Sequence, residues 1–154
     1  MDTPNLQDAY APNGTCFGCG PRNLKGLRIK SIPVGDEVVA DWTPEPHHAS
    51  FKGFLSGGII STLLDCHGNW TAVHALMKAG GLAAAPGTVT AELSIRFLRP
   101  TPMGPVRVRA RAVRVEGNKV NVTGEIESGG QPTATMTGTF VHVKEGHPAF
   151  HRWE

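Results

Sequence analysis

The chain has 154 residues, 40% hydrophobic and 18% charged, with a formal net charge of +2. That length suits one domain with its own core, and so mild a charge gives no argument for a nucleic-acid partner. No apolar run reaches the roughly 18 residues of a membrane span. The opening "MDTPNLQDAYAPNG" has neither a basic n-region nor an apolar h-region, so no signal peptide is read and a cytoplasmic location is expected.

Residues 1–25, rich in Pro, Gly and Asn, read as an irregular N-terminal segment of a single domain spanning 1–154. This segment holds two of the three cysteines, Cys16 and Cys19, in "CFGCG"; the third is Cys66. An odd count in a chain read as cytoplasmic argues against a disulfide framework. One CxxC pair is half of a structural zinc site, and the sequence offers no second pair. His47 and His48, or His147 and His151, would complete a site only through the fold. No metal is assigned; a tight Gly-rich turn carrying two small thiols is the expectation.

"GLRIKSI" and "EVVADWT" are short β-type runs separated by the turn "PVGD". "TPEPHHASFKGF" reads as a loop. From Ser56 a helix begins: Ile59, Leu63, Cys66, Trp70, Val73 and Met77 recur at alternating spacings of four and three, and Ile60, Leu64 and Leu76 widen the stripe. Gly80 and Gly81 are placed to cap its C-terminus.

Beyond "AAAPG" the pattern is strand. In "TVTAELSIRFLRP" the residues Val89, Ala91, Leu93, Ile95 and Phe97 alternate with more polar ones, which predicts a sheet with one face on a core. "PVRVRARAVRV" repeats the alternation until the parity changes at Val113 and Val115, which predicts a bulge. "VNVTGEIES" and "TATMTGTFVHV" are two further strands, entered through the turns "EGNK" and "GGQP". One long helix and one antiparallel sheet with an apolar face give an α+β fold, the sheet curved around the helix. One helix covers such a sheet only in part, so a second subunit is expected to bury flanking surface.

Three stretches carry a family resemblance. "CFGCGPRNLKGLRI" resembles a CxxCGxxNPxGL opening, "HHASFKGFLSGGIISTLLD" resembles HQGxPGxVHGGxxxxLLDE, and "TAELSIRFLRPTP" resembles TxxLxIxYLRPxP. Ordered and spaced as they are, they resemble the hotdog-fold thioesterases, most closely the phenylacetate-pathway-type (PaaI-like) acyl-CoA thioesterases. The chain departs from the pattern where Ser56 replaces a His, Cys66 a Glu or Asn, Ala49 a Gln and Lys52 a Pro.

The resemblance implies hydrolysis of an acyl-CoA thioester without cofactor, by a homodimer or homotetramer. Asp65 takes the place of the catalytic carboxylate, as general base or nucleophile. Its helical neighbours Ser61, Thr62, Gly68 and Asn69 are small or polar, so that face admits a ligand or another chain. Gly57 and Gly58 open the helix, where peptide N–H groups lack partners inside it and can polarise a carbonyl; alternatively they only permit tight helix entry, with Ser56 as N-cap. Thr90 stands where relatives hold the attacking water, and is equally an ordinary strand threonine. Ser50 and His48 match a loop near the site. Arg99 is read as structural or adjacent to the coenzyme A moiety, while most of the other strand arginines read as a solvated face. His67 points away from Asp65 and is not paired with it. The resemblance further implies that Gly57 of one chain faces Asp65 and Thr90 of another. A non-hydrolytic acyl-CoA or fatty-acyl binding protein, motivated by Ser56, and a zinc-stabilised interaction module on Cys16 and Cys19 are the rival readings.

Overall fold

The computed structural model describes residues 3–154. Its order is α1 (Leu6–Tyr10), β1 (Ile32–Val34), β2 (Glu37–Trp42), a 3-10 turn (Pro46–His48), β3 (Ala49–Phe51), β4 (Phe54–Leu55), α2 (Gly57–Gly80), β5 (Thr88–Phe97), β6 (Val106–Glu116), β7 (Lys119–Ser128) and β8 (Gln131–His142). Six strands form one antiparallel sheet ordered β1-β2-β6-β7-β8-β5, and β3 pairs with β4 in a small hairpin.

α2 begins where Ser56 accepts the Gly58 N–H through its side chain and ends at Gly81, whose left-handed backbone (φ 60°) suits glycine. At 24 residues it runs about 36 Å. It lies across the inner face of the sheet, where Val106, Val108 and Ala110 of β6, Val120, Val122 and Ile126 of β7, and Ala134, Met136 and Phe140 of β8 are buried. These positions alternate with exposed or half-buried ones, as a sheet with one face on the core requires. Helix and curved sheet make the hotdog arrangement. Among the described residues no helix is long and apolar enough to cross a membrane.

Four expectations need correction. The N-terminal segment is not wholly irregular: Asn5 caps α1 by accepting the Asp8 N–H. "GLRIKSI" is not a strand, because Leu27, Ile29 and Ser31 turn inward while their amides bond elsewhere, Leu27 and Ile29 to the Phe17 and Gly18 carbonyls. The segment read as a loop contains the 3-10 turn and the β3–β4 hairpin. Finally, α2 is enclosed on all sides at its middle, not along one stripe: Cys66 through Val73 are buried without a break.

The side of α2 away from the sheet is covered by the chain's own N-terminal segment and C-terminal end. There Gln7 donates through Nε2 to Ser31 Oγ, and Ser31 N–H donates to Gln7 Oε1. His67 Nε2 faces the Val38 carbonyl at 2.8 Å, so Nε2 carries the proton and Nδ1 accepts from Ser31 Oγ at 2.8 Å. Trp70 packs on Trp153 with ring centroids 4.5 Å apart.

Candidate functional site

The predicted bulge in β6 is present, with the β6–β7 register shifting between Ala112 and Arg114. A second bulge matters more. The β5–β8 register shifts between Thr90 and Glu92, around Ala91. The alternation in β5 therefore changes sense. Beyond the bulge Leu93 and Ile95 face the core, as expected, but before it Thr88 and Thr90 reach α2 and Ala91 is exposed. The inward placement of Val89 and Ala91 is overturned for that reason: one extra residue re-aims the side chains that precede it.

The outcome is a hydrogen bond between the two residues singled out for chemistry. Thr90 donates through Oγ1 to Asp65 Oδ1 at 2.6 Å. Both are half-buried. Asp65 sits within α2, and the strand that carries its partner Thr90, β5, is the last of the sheet. Asn69, one turn further along α2, is buried and spends its side chain on the same strand: Oδ1 accepts from Thr88 Oγ1 and Nδ2 donates to the Thr88 carbonyl. It is thereby a clamp that docks β5 on α2, not a free substrate contact.

At the start of α2 a cavity of about 390 Å³ opens over Gly57. Ser50, Arg99, Phe51, Phe54, Phe97 and Ile60 are among its walls. Phe51 and Phe54 stack at 4.8 Å, and the Phe97 ring lies over Gly57, 3.5 Å from where a β-carbon would stand. Ser56 caps the Gly58 amide at 3.2 Å, so the Gly57 N–H is left without an acceptor among the described residues. Of the predicted residues, Gly57, Ser50 and Arg99 therefore share one cavity, while the Gly58 N–H donates to Ser56 Oγ and neither residue lines it. Arg99 also donates through Nη1 to Gln131 Oε1 at 3.0 Å.

His48 does not line this cavity. It is buried against Trp42, ring centroids 5.2 Å apart, and its Nδ1 accepts the Glu45 N–H at 2.9 Å. Burial, and then the neighbouring His47, hold its imidazole below the ordinary histidine range. Its carbonyl accepts the Ser56 N–H, so it braces the entry to α2. Trp70 is likewise remote from the cavity, fully buried in the core. The strand arginines are largely committed: Arg107 pairs with Asp41, Arg109 with Glu37 and Arg114 with Glu116. Sequence reasoning missed Phe97 and Asn69 in these roles. Only the apolar ending of β5 and the i+4 spacing of Asn69 from Asp65 hinted at them.

Gly57 and Asp65 are eight residues apart on one helix, about 12 Å along its axis. Within one chain the free amide and the carboxylate therefore cannot serve the same carbonyl.

Comparison with known proteins gives consistent matches. The family model described as "Thioesterase superfamily" matches residues 52–135, more than half of the chain. The acyl-coenzyme A thioesterase THEM4 of Xenopus laevis is 26% identical over 108 residues, covering 70% of this chain and 45% of that protein. The chain thus spans less than half the length of that relative. A thioesterase superfamily protein from Shewanella loihica PV-4 superposes with a TM-score of 0.65 at 32% identity, over 75% of this chain and 91% of the other. A phenylacetic acid degradation-related protein from Ralstonia eutropha JMP134 gives a TM-score of 0.62 at 28% identity, over 75% and 85%.

Proposed function

The chain belongs to the thioesterase superfamily, and on that premise we propose that it hydrolyses an acyl-CoA thioester to the free acid and coenzyme A. The observation that carries the reading is the Thr90–Asp65 hydrogen bond on the open edge of the sheet. Thr90 spends its proton on Asp65, so its oxygen remains an acceptor for a water molecule. Asp65 accepts the proton of that water as oxygen attacks the thioester carbon. The carbonyl oxygen, becoming an oxyanion, takes the free Gly57 N–H, where the peptide dipoles of α2 add favourable potential. The tetrahedral intermediate then expels the coenzyme A thiolate. The aromatic walls of the Gly57 cavity receive the acyl group, and Arg99 at its rim faces the coenzyme A moiety.

The active unit is a homodimer in which Gly57 of one chain meets Asp65 and Thr90 of another. The 12 Å separation within one chain supports this, as does β5, a ten-residue edge strand with a free side. Two β5 edges pairing antiparallel about Leu93 and Ser94 bring the Phe97 end of one chain, which covers Gly57, beside the Thr90 end of the other.

A panel of short, medium, long and aryl acyl-CoAs, read by a thiol-reactive dye, tests the activity. Thiol release with at least one member is expected. Tight acyl-CoA binding without release would instead favour a non-hydrolytic binding protein. Asp65 as base and Asp65 as nucleophile are separated by single-turnover hydrolysis in ¹⁸O-water: a base places the label in the acid product, a nucleophile places it first in Asp65.

A further inference from the structure

α2 carries Cys66 one residue beyond Asp65, on the side away from the sheet, and the fold brings it to the CxxC turn. The sulfurs of Cys16, Cys19 and Cys66 lie within 4.8 Å of one another, with Cys16 and Cys66 at 3.8 Å. Cys19 and Cys66 are buried and Cys16 is half-buried. We propose that Cys16, Cys19 and Cys66 form a three-thiolate binding site for a zinc ion, with the fourth position filled by water.

The geometry is that of a ligand set. With Zn–S bonds of about 2.3 Å, the edge of a tetrahedron of sulfurs measures about 3.8 Å, which is the Cys16–Cys66 separation. The Gly20 N–H closes the turn on the Cys16 carbonyl at 2.8 Å. Gly18 is required by close approach, because a β-carbon there would collide with Cys66 Sγ. Any side chain at residue 18 would thus separate the third sulfur from the other two.

An independent observation comes from Trp70. Its indole Nε1 is buried with no hydrogen-bond partner among the described residues. Trp70 lines one cavity with Cys16 and Cys19. A buried N–H needs an acceptor, and a metal-bound water in that cavity would supply one. Three thiolates packed this closely need a cation to hold them. Zinc binding displaces three protons to solvent and leaves the site with one net negative charge. Arg152 lies close by: it lines the same cavity of about 210 Å³ as Cys16, Cys19 and Trp70. That cavity supplies the water for the fourth position. Among the described residues no other His, Cys, Asp or Glu completes the cluster. The site fastens the N-terminal segment to the helix beside the candidate carboxylate.

The test uses the full chain, reduced and stripped of metal by a chelator. Titration with Co²⁺ is expected to give a sulfur-to-cobalt charge-transfer band at one metal per chain, which Zn²⁺ abolishes. Cys66→Ser should weaken zinc binding by more than the about 10–100-fold that loss of an outer-shell partner costs. Zinc binding should also raise the midpoint of thermal unfolding. A Cys66→Ser chain that binds cobalt with the wild-type band and affinity would overturn the proposal, as would a reduced wild-type chain that gives no band. X-ray absorption on the zinc-loaded wild type needs no variant: three sulfur neighbours at about 2.3 Å are expected, and two or fewer refute the site.

Discussion

Replacing Thr90 by Val removes one hydroxyl from β5 and keeps a β-branched side chain suited to a strand. The bond lost is an O–H donor to a carboxylate at 2.6 Å. Hydrogen bonds to charged groups contribute about 1.5–3 kcal/mol. At 1.36 kcal/mol per decade of rate, kcat/KM should fall by roughly 10–150-fold if the bond is kept into the transition state. Thr90→Ser keeps the hydroxyl and should stay within a few-fold of wild type. Asp65→Asn removes the proton acceptor itself, an effect on the order of 10²–10⁴. The decisive measurement is the double variant. Thr90 and Asp65 bond each other and act on one water as a unit, so Thr90→Val should cost little more once Asp65 is Asn. The assay is thiol release from the preferred acyl-CoA, with thermal unfolding as the control for folding. Wild-type kcat/KM in Thr90→Val would refute the reasoning. So would full additivity in the double variant, because the two residues would then act separately.

Gly57→Ala should spare the fold, since the added methyl would stand 3.5 Å from the Phe97 ring, an ordinary contact. It crowds the approach to the free amide, and loss of that donor bounds the effect at about 2.7–4 kcal/mol of transition-state stabilisation; unchanged activity would remove Gly57 from the mechanism. His67 governs acid stability: burial pushes its pKa down from 6.5 to about 4. Above pH 6.5 the ring is neutral in both states, but between about 6.5 and 4 the unfolded chain binds a proton that the folded chain does not. Stability therefore falls as pH falls through that window, by about 3 kcal/mol in all. The urea midpoint should drop less between pH 7 and pH 4.5 in His67→Gln than in wild type, and equal drops would rule the account out.

What the sequence made legible, and what it did not, follows from the range of the interactions involved. The limits of α2 are set by local signals, Ser56 before it and Gly81 after it, and both act as caps. The bulge near Val113 announced itself because valines broke an alternation. The bulge at Ala91 left no such trace. Threonine is at home on either face of a strand, and alanine tolerates exposure, so "TVTAEL" reads equally well in both registers. Only pairing with β8 decides between them, and that decision turns Thr90 towards Asp65. The same holds for the back of α2. Gln7 and His67 are polar side chains that sequence patterns place on the surface, yet both are buried, because Ser31 and the Val38 carbonyl meet their hydrogen-bonding needs. Cys66 looked like one member of an apolar stripe; its partners lie about fifty residues away in sequence.

The mechanism and the assembly rest on the same geometry, and one experiment reads both. If the site is shared between chains, each active site takes Gly57 from one subunit and Asp65 from the other. In a mixed dimer of Gly57→Ala and Asp65→Asn chains, one site then receives both substitutions and the other receives neither. Each variant alone is impaired at every site. Unfolding and refolding the two together at equal amounts, with random assortment, makes half of the dimers mixed and half of their sites intact, so about a quarter of wild-type activity should return. A site built within one chain predicts no recovery, because every chain in the mixture still carries its own defect. A mixture no more active than the average of the two variants would break the link between the Thr90–Asp65 pair and the Gly57 cavity, and with it the proposed path from water to thioester.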